Sequence, residues 1–357
     1  MRTLHLAVLP ADGIGPEVIG ASRTVLEMLA QSDGGIKFDF REFDWGSERY
    51  LKTGKMMPDD GIQQLERGGF DGILLGPVGD LRIPDHITLW GLVLAIRQAF
   101  DQYVNLRPMR LLEGVDTPLK NRTPQDLNMV CFRENSEGEY SGAGGRIHQG
   151  QDNEVAIQSI VFTRSTTERL MRFAFDWAVK HERKLVTNVT KSNSMQHNMV
   201  FWDDVFRDVS AAYPKVRTDQ QLVDSMTVRM INRPDSLDVF VASNLFGDIL
   251  TDLGAAITGS LGLAPSANIN PEKKYPSMFQ AIHGSAFDIV GKNLANPIAS
   301  IWSAQLMLDF LGETELASRL MQAIEVVLRG RKVRTGDLGG SSLTDEVTAA
   351  ICAQLSA

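Results

Sequence analysis

The chain has 357 residues, of which 43% are hydrophobic and 22% charged, and its formal net charge is −8. That length exceeds what one compact core usually organises, so two domains are expected, and the composition excludes a disordered chain. The mild charge, mixed in sign and without a Lys/Arg run, argues against a nucleic-acid partner, which needs a clustered basic face.

In chain order, Met1–Asp12 carries one short apolar stretch and an early acid, too little for a secretory core. Leu4–Pro10 reads as a buried strand, followed by the turn Asp12-Gly13-Ile14-Gly15-Pro16 and a helix bearing Val18, Ile19, Val25, Leu26 and Leu29. Phe70–Leu75 is a second strand and ends in the loop Gly76-Pro77-Val78-Gly79. Leu89–Phe100 has a helical period and carries Arg97. Leu127–Phe132, Lys184–Val189 and Leu237–Ser243 are further strands. Tyr140–Arg164 differs: four glycines (Gly142, Gly144, Gly145, Gly150) precede Val155 and Ile157, which predicts a β-hairpin or arm of the kind that interlocks subunits. From Leu306 to Leu328 apolar residues recur at helical spacing. Strands alternating with helices predict an α/β protein with largely parallel strands.

The two cysteines, Cys131 and Cys352, are far apart and read as reduced, buried thiols rather than a disulfide or a metal pair. The longest uncharged stretch, Leu253–Pro271, is broken by Gly, Ser, Asn and Pro and makes a poor membrane span. A soluble, cytoplasmic protein with no membrane partner is expected.

Four groups of residues can carry chemistry. In Ser243-Asn244-Leu245-Phe246-Gly247-Asp248-Ile249-Leu250-Thr251-Asp252, Asp248 and Asp252 stand at i and i+4 and project from one helix face. Two readings fit them: ligands for a hard divalent cation, Mg²⁺ or Mn²⁺, or a solvated acidic face near a helix N-terminus. Arg97, Arg107 and Arg133 are each ordinary alone, but as a set they suit an acid with two carboxylates, which guanidinium groups grip in planar pairs. Tyr140 and Lys191 are candidate proton carriers. The stretch His283-Gly284-Ser285-Ala286-Phe287-Asp288-Ile289 with Asn296-Pro297 is a glycine-marked loop, and no G-x-G-x-x-G or Walker pattern occurs, so the usual Rossmann dinucleotide site is absent.

Taken in order, these segments resemble the β-decarboxylating dehydrogenases: the isopropylmalate, isocitrate, homoisocitrate and tartrate/D-malate dehydrogenases. The resemblance is carried by Asp12-Gly13-Ile14-Gly15-Pro16-Glu17, Ile96-Arg97, Asn105-Leu106-Arg107-Pro108, Arg133-Glu134-Asn135-Ser136-Glu137-Gly138, Tyr140, Lys191-Ser192-Asn193, Asp224, Asn244–Asp252 and His283–Asp288. It implies an isocitrate/isopropylmalate dehydrogenase-like, non-Rossmann fold of two α/β domains with a β arm at the dimer interface. Residues 1–101 and 258–357 would form the large cofactor-binding domain, and 102–257 the small one with the arm and the metal and substrate residues. It further implies a homodimer with shared active sites. Asp248 and Asp252 would bind Mg²⁺ or Mn²⁺ with the partner's Asp224, and Arg97, Arg107 and Arg133 would hold the substrate. The partner's Lys191 would act as base and Tyr140 as acid. His283, Gly284, Ser285, Ala286, Asp288, Ile289 and Asn296 would hold NAD, with Asp288 on the ribose diol and repelling a 2′-phosphate. K⁺ is a further cofactor candidate.

Substrate choice turns on the helix before Arg97. Gly91 and Val93 stand where isocitrate enzymes place Ser and Asn, so a third carboxylate would lack partners. Trp90 stands where isopropylmalate enzymes usually carry Glu, and its indole would leave room only for a four-carbon diacid, unless it is a core filler with no role in selectivity. Trp45–Tyr50, Leu89-Trp90-Gly91 and Phe100–Asn105 are similar to the tartrate/D-malate branch. The alternative is 3-isopropylmalate oxidation; from another class, a non-catalytic subunit that keeps the fold. The motifs also depart from the family: Ala11 replaces a usual Gly, Gln280-Ala281-Ile282 replace Glu-Pro-Val, and Phe287 replaces Pro.

Overall fold

A computed structural model describes residues 2–356. In chain order its strands are β1 (Arg2–Leu9), β2 (Ile36–Glu42), β3 (Gly72–Leu75), β4 (Val104–Arg110), β5 (Asn128–Glu134), β6 (Gly144–Ile147), β7 (Val155–Gln158), β8 (Leu185–Thr190), β9 (Arg217–Leu222), β10 (Val239–Ala242), β11 (Pro265–Ile269) and β12 (Ser277–Ala281). The chain divides into two compact units, one made of Met1–Gln102, Arg110–Pro124 and Ala255–Ala357, the other of Tyr103–Met109 and Gln125–Gly254.

The first unit carries strands in the order β2-β1-β3-β12-β11. β1 runs parallel to both β2 and β3, β12 runs parallel to β3, and β11 returns antiparallel to β12. β3 is buried throughout, as a strand covered on both faces must be. Helices Gly15–Asp33, Ile298–Leu311, Thr314–Gly330 and Thr344–Leu355 pack on one another. Ile298–Leu311 is apolar nearly all round and mostly buried, so it forms the middle of this layer. The single helical run expected over Leu306–Leu328 is broken: Gly312 adopts φ 95° and closes one helix before Thr314 opens the next. The helix expected over Leu89–Phe100 is also irregular, because Leu89–Leu94 forms a π-turn between Asp85–Thr88 and Ala95–Ala99.

The second unit has the order β4-β5-β10-β8-β9. β10, wholly apolar and wholly buried, pairs in parallel with β5 and β8. β9 (RTDQQL) is an edge strand paired along its length with β8, and its polar sequence hides it from hydrophobic patterning. The glycine-rich segment forms the expected hairpin, β6 antiparallel to β7, and every residue of both strands is exposed. Among the described residues no helix is long and apolar enough to cross a membrane.

The opening turn is held by one carboxylate. Asp12 is buried and accepts the Ser47 N–H (2.7 Å), the Ser47 hydroxyl (2.6 Å) and the Gly79 N–H (2.8 Å). The preceding Ala11 sits at φ 56°, the left-handed region where an L side chain costs about 1–2 kcal/mol. Glycine would remove that cost but adds about 0.5–1 kcal/mol of unfolded-chain entropy. Ala11→Gly should therefore be neutral to stabilising, by up to about 1 kcal/mol, in urea titrations of both proteins. A clear loss of stability would show that the turn is not strained.

Candidate active site

Strand register builds the centre of the second unit. Ala242, the last residue of β10, lies opposite Arg133 of β5. The chain then turns into helix Asn244–Ile257, so Asn244 and Asp248 arrive beside that arginine. Asn244 Oδ1 accepts from Arg133 Nε (3.1 Å) and Nη2 (2.7 Å), and Arg133 Nη1 reaches Asp248 Oδ1. Gly247 makes the approach possible: a Cβ there would stand 2.7 Å from Arg133 Cβ and Cγ. The helix start is capped from a distance by the buried Glu139, which accepts the Ser243 hydroxyl (2.8 Å) and the Leu245 N–H (3.0 Å).

Asp248 gathers more than one cationic and hydroxyl partner. Besides Arg133, Arg107 Nη1 lies 3.2 Å from Oδ1, and the Tyr140 hydroxyl donates to Oδ2 at 3.1 Å. Arg107 also donates to the Thr251 hydroxyl (2.7 Å), and Arg133 lies over the Tyr140 ring, 5.5 Å from its centroid. Both guanidinium groups are buried. Burial and the neighbouring Arg133 charge bring Arg107 down to about 10, with Asp248 opposing. Asp252, one turn on and exposed at its tip, is pushed above the usual carboxylate range by desolvation and then by Asp248. Two carboxylates one helical turn apart, repelling each other across the Arg107 and Arg133 charges, are a hard-oxygen donor pair that suits Mg²⁺ or Mn²⁺. The set is incomplete in one chain: among the described residues no three His, Cys, Asp or Glu side chains come together as a metal site.

Lys191, in the loop after β8, pairs with Asp224 in the first turn of helix Val223–Asn232, and that ion pair holds the Asp224 carboxyl below its ordinary range. In the first unit, Arg97 is buried on Ala95–Ala99, and Trp90 is 38% exposed in the π-turn.

The same unit contains a cavity of about 670 Å³, the size of a small-molecule site. His283, Gly284, Ala286, Ile289 and Asn296 line it, joined by Ile14, Leu261 and Asp337. Ser285 and Asp288 do not. Ser285 turns its hydroxyl to the Gly79 carbonyl (2.8 Å), and its own carbonyl accepts the Ile14 N–H (3.0 Å), so it ties the loop to the opening turn. Asp288 is exposed. The acid in the wall is Asp337, which accepts from Asn296 Nδ2 (2.9 Å) and from the Ser260 and Thr335 hydroxyls. His283 Nε2 is buried there without a protein partner, and desolvation lowers the pKa of its imidazole. An apolar-walled cavity with one carboxylate and one unsatisfied ring nitrogen fits a nucleoside.

Comparison with known proteins gives this arrangement a lineage. The family model described as isocitrate/isopropylmalate dehydrogenase matches residues 5–351. The chain belongs to the isocitrate/isopropylmalate dehydrogenase family. It is 53% identical over 352 residues to a probable tartrate dehydrogenase/decarboxylase of Agrobacterium vitis, covering 99% of this chain and 98% of that protein. It is 47% identical over 360 residues to the D-malate dehydrogenase (decarboxylating) of Escherichia coli, covering 99% and 98%. The crystal structure of an isocitrate dehydrogenase from Methylococcus capsulatus superposes with a TM-score of 0.88 at 32% identity, covering 100% of both chains.

For this family member, the sequence motifs omit residues that the structure brings into the two sites. Asn244 belongs to the Asn244–Asp252 motif, but its role in holding Arg133 comes from its amide, which the motif does not single out. Thr251 and Glu139 steady Arg107 and the helix start. Asp337 lies in Thr335-Gly336-Asp337-Leu338-Gly339-Gly340, whose glycines mark a turn, but nothing local joins it to Asn296. Asn244→Ala would leave two buried guanidinium donors without an acceptor and should cost about 3 kcal/mol in urea titrations; a loss under about 1 kcal/mol would mean the amide is replaceable.

Glu134 gives a pH test. It is fully buried, and burial pushes its carboxyl from 4.5 to about 7, against the Ser136 and Glu137 N–H groups that donate to it (2.7 and 2.8 Å). Because the folded value is raised, its stabilising effect is complete below about pH 4.5 and is lost as pH rises through about 7, of order 3 kcal/mol by pH 8. Urea midpoints of Glu134→Gln should therefore depend less on pH between about 5 and 8 than those of the parent; equal slopes would show that Glu134 does not titrate in this window.

Proposed function

We propose that the chain is an NAD-dependent, divalent-metal-assisted dehydrogenase. Its substrate is a four-carbon 2-hydroxy diacid: D-malate, giving pyruvate and CO₂, or tartrate, giving oxaloglycolate. The observation that carries this reading is Asp248 held by Arg107, Arg133 and Tyr140 at the carboxyl ends of β5 and β10, where α/β sheets bind ligands. The names of the full-length relatives agree with it.

Asp248 and Asp252 would hold Mg²⁺ or Mn²⁺, which would supply Lewis-acid polarisation of the substrate, and the cavity of His283 and Asn296 would hold NAD, which would supply the hydride acceptor. The chain's own groups do the rest. Arg107 and Arg133, with Arg97, grip the two carboxylates in bidentate fashion and fix which faces react. Lys191, delivered by a second copy with Asp224, takes the hydroxyl proton. Tyr140, its ring held by Arg133 and its hydroxyl by Asp248, delivers a proton to the carbon that CO₂ leaves. Trp90 limits the space beside that carbon.

A homodimer follows from the same reading. One chain keeps Lys191 and Asp224 paired with each other, and both the Asp224 helix and the arm carry exposed apolar residues. Val228 and Ile231 on the Asp224 helix are 57% and 44% exposed, and Ile147 and Ile157 on the arm are 56% and 57% exposed. Two buried free cysteines suit a reducing cytoplasm.

Initial rates with D-malate, L-tartrate, 3-isopropylmalate and isocitrate, with Mn²⁺ and K⁺ and either NAD or NADP, test the proposal. We expect NAD-linked turnover of a four-carbon acid at least about tenfold better than of 3-isopropylmalate. Asp248→Asn should lower metal-dependent kcat by roughly 100-fold or more without dissociating the dimer. A preference for 3-isopropylmalate removes the substrate assignment, and unchanged turnover in the variant removes the metal site.

A further inference from the structure

The segment from Asp85 to Ala99 is not one regular helix, because Leu89–Leu94 is a π-turn. Such turns are rare, occur mostly as single-turn bulges inside α-helices, and are frequent at functional sites. The surroundings here are visible at Gly91: a Cβ there would stand 2.7 Å from Met56 Cγ and 3.2 Å from Met56 Cβ. Met56 is 2% exposed and packs in the core with Trp45, Leu92, Val93 and Ile96. Its carbonyl accepts the Gly46 N–H at 3.0 Å, so its backbone is anchored. The methionine thus fills the space an ordinary side chain at position 91 would need, and it supports the turn from the core side. Towards solvent, the same turn presents Leu89 and Trp90, 37% and 38% exposed.

Register gives this contact a consequence. In a regular α-helix, residues seven apart lie within about 20° of one another, so Trp90 would stand above Arg97 on one face. One residue absorbed into a π-turn turns everything before it by about 100° relative to everything after it. We propose that Met56 is a positioning residue for substrate selectivity: by filling the space beside Gly91 it holds the π-turn, and the turn sets where the Trp90 indole stands relative to Arg97. The group discriminated is the C3 substituent of the acid, hydrogen or hydroxyl against a branched alkyl group. This rests on the reading of Arg97 and Trp90 as substrate-facing.

The test uses Met56→Ala, Met56→Leu, Gly91→Ala and the double variant Met56→Ala/Gly91→Ala in the full-length enzyme. One readout is the ratio of kcat/KM for D-malate over 3-isopropylmalate. The other needs no turnover: the Trp90 emission, taken as the difference between each variant and its Trp90→Phe counterpart. We expect Met56→Ala to lower the ratio by about tenfold, chiefly through KM, with kcat on D-malate within about twofold and a shifted Trp90 emission. Met56→Leu should restore most of both. The double variant, whose new methyl group occupies part of the emptied space, should lie closer to the parent than Met56→Ala. A folded Met56→Ala with unchanged ratio and emission overturns the proposal, as does a ratio that Met56→Leu fails to restore. If Met56→Ala does not fold, Gly91→Ala decides in the same way. Absence of D-malate turnover in the parent would instead overturn the functional reading, and the emission shift would still decide whether Met56 positions Trp90.

Discussion

Two guanidinium groups buried side by side require a negative partner, and the site is arranged around supplying one. Burial, and then the neighbouring Arg133 charge, lower Arg107 to about 10, and Asp248 stands against both. Removing one member of such a buried set usually costs about 3–5 kcal/mol, because the charge left behind can no longer reach water. The charges also balance across the proposed binding event. In this unit two arginines face Asp248 and Asp252; a divalent cation and a dianionic acid would add equal and opposite charge. The site can exchange an internal ion-pair network for a liganded one without burying net charge, which keeps binding of a doubly charged molecule affordable in a low-dielectric pocket.

The fold reaches this arrangement through few instructions. Parallel pairing of β10 with β5 puts the end of one strand beside Arg133, and the next residues start a helix whose amide, glycine and carboxylate all meet that arginine. Glu139 then fixes the helix start by accepting a hydroxyl and a backbone N–H. Each contact joins residues about 100 positions apart, so the site forms only when the second unit's sheet is complete. Placement by sheet register explains how side chains from separate segments can be held closely enough for proton transfer.

What the sequence made legible follows from the same physics. Strands with continuous apolar runs, such as Gly72–Leu75 and Val239–Ala242, were readable because burial on both faces leaves no other composition. The glycine-rich hairpin was readable from its turn residues. Arg217–Leu222 was not, because an edge strand needs no apolar face and its pairing with β8 is carried by the backbone. Apolar spacing bridges Gly312, so the helix break there is a matter of one residue's positive φ rather than of pattern. In the site, charged residues at the ends of strands and helices could be named in advance. The neutral amide of Asn244 could not, since its role exists only once Arg133 lies opposite. Asp337 lines the cavity and Asp288 does not, and local motif order says nothing about which of two loops forms a cavity wall.

Selectivity among acids of this kind cannot come from the arginines. D-malate, tartrate and 3-isopropylmalate all offer them two carboxylates and a 2-hydroxyl, so contacts to those groups cancel in any comparison. Only the space at C3 differs, and a methylene in an apolar pocket is worth about 1–3 kcal/mol. A wall displaced by a fraction of an ångström changes van der Waals contacts by comparable amounts when several atoms move together. The residues that decide where a wall stands are then as consequential as those that form it. In this chain Trp90, the wall residue of the proposed site, rides on a π-turn that has no side chain of its own at Gly91 and has a buried methionine beside it instead. A difference between related enzymes can therefore lie in the core beneath an unchanged set of charged groups, where a comparison of active-site residues alone would not find it.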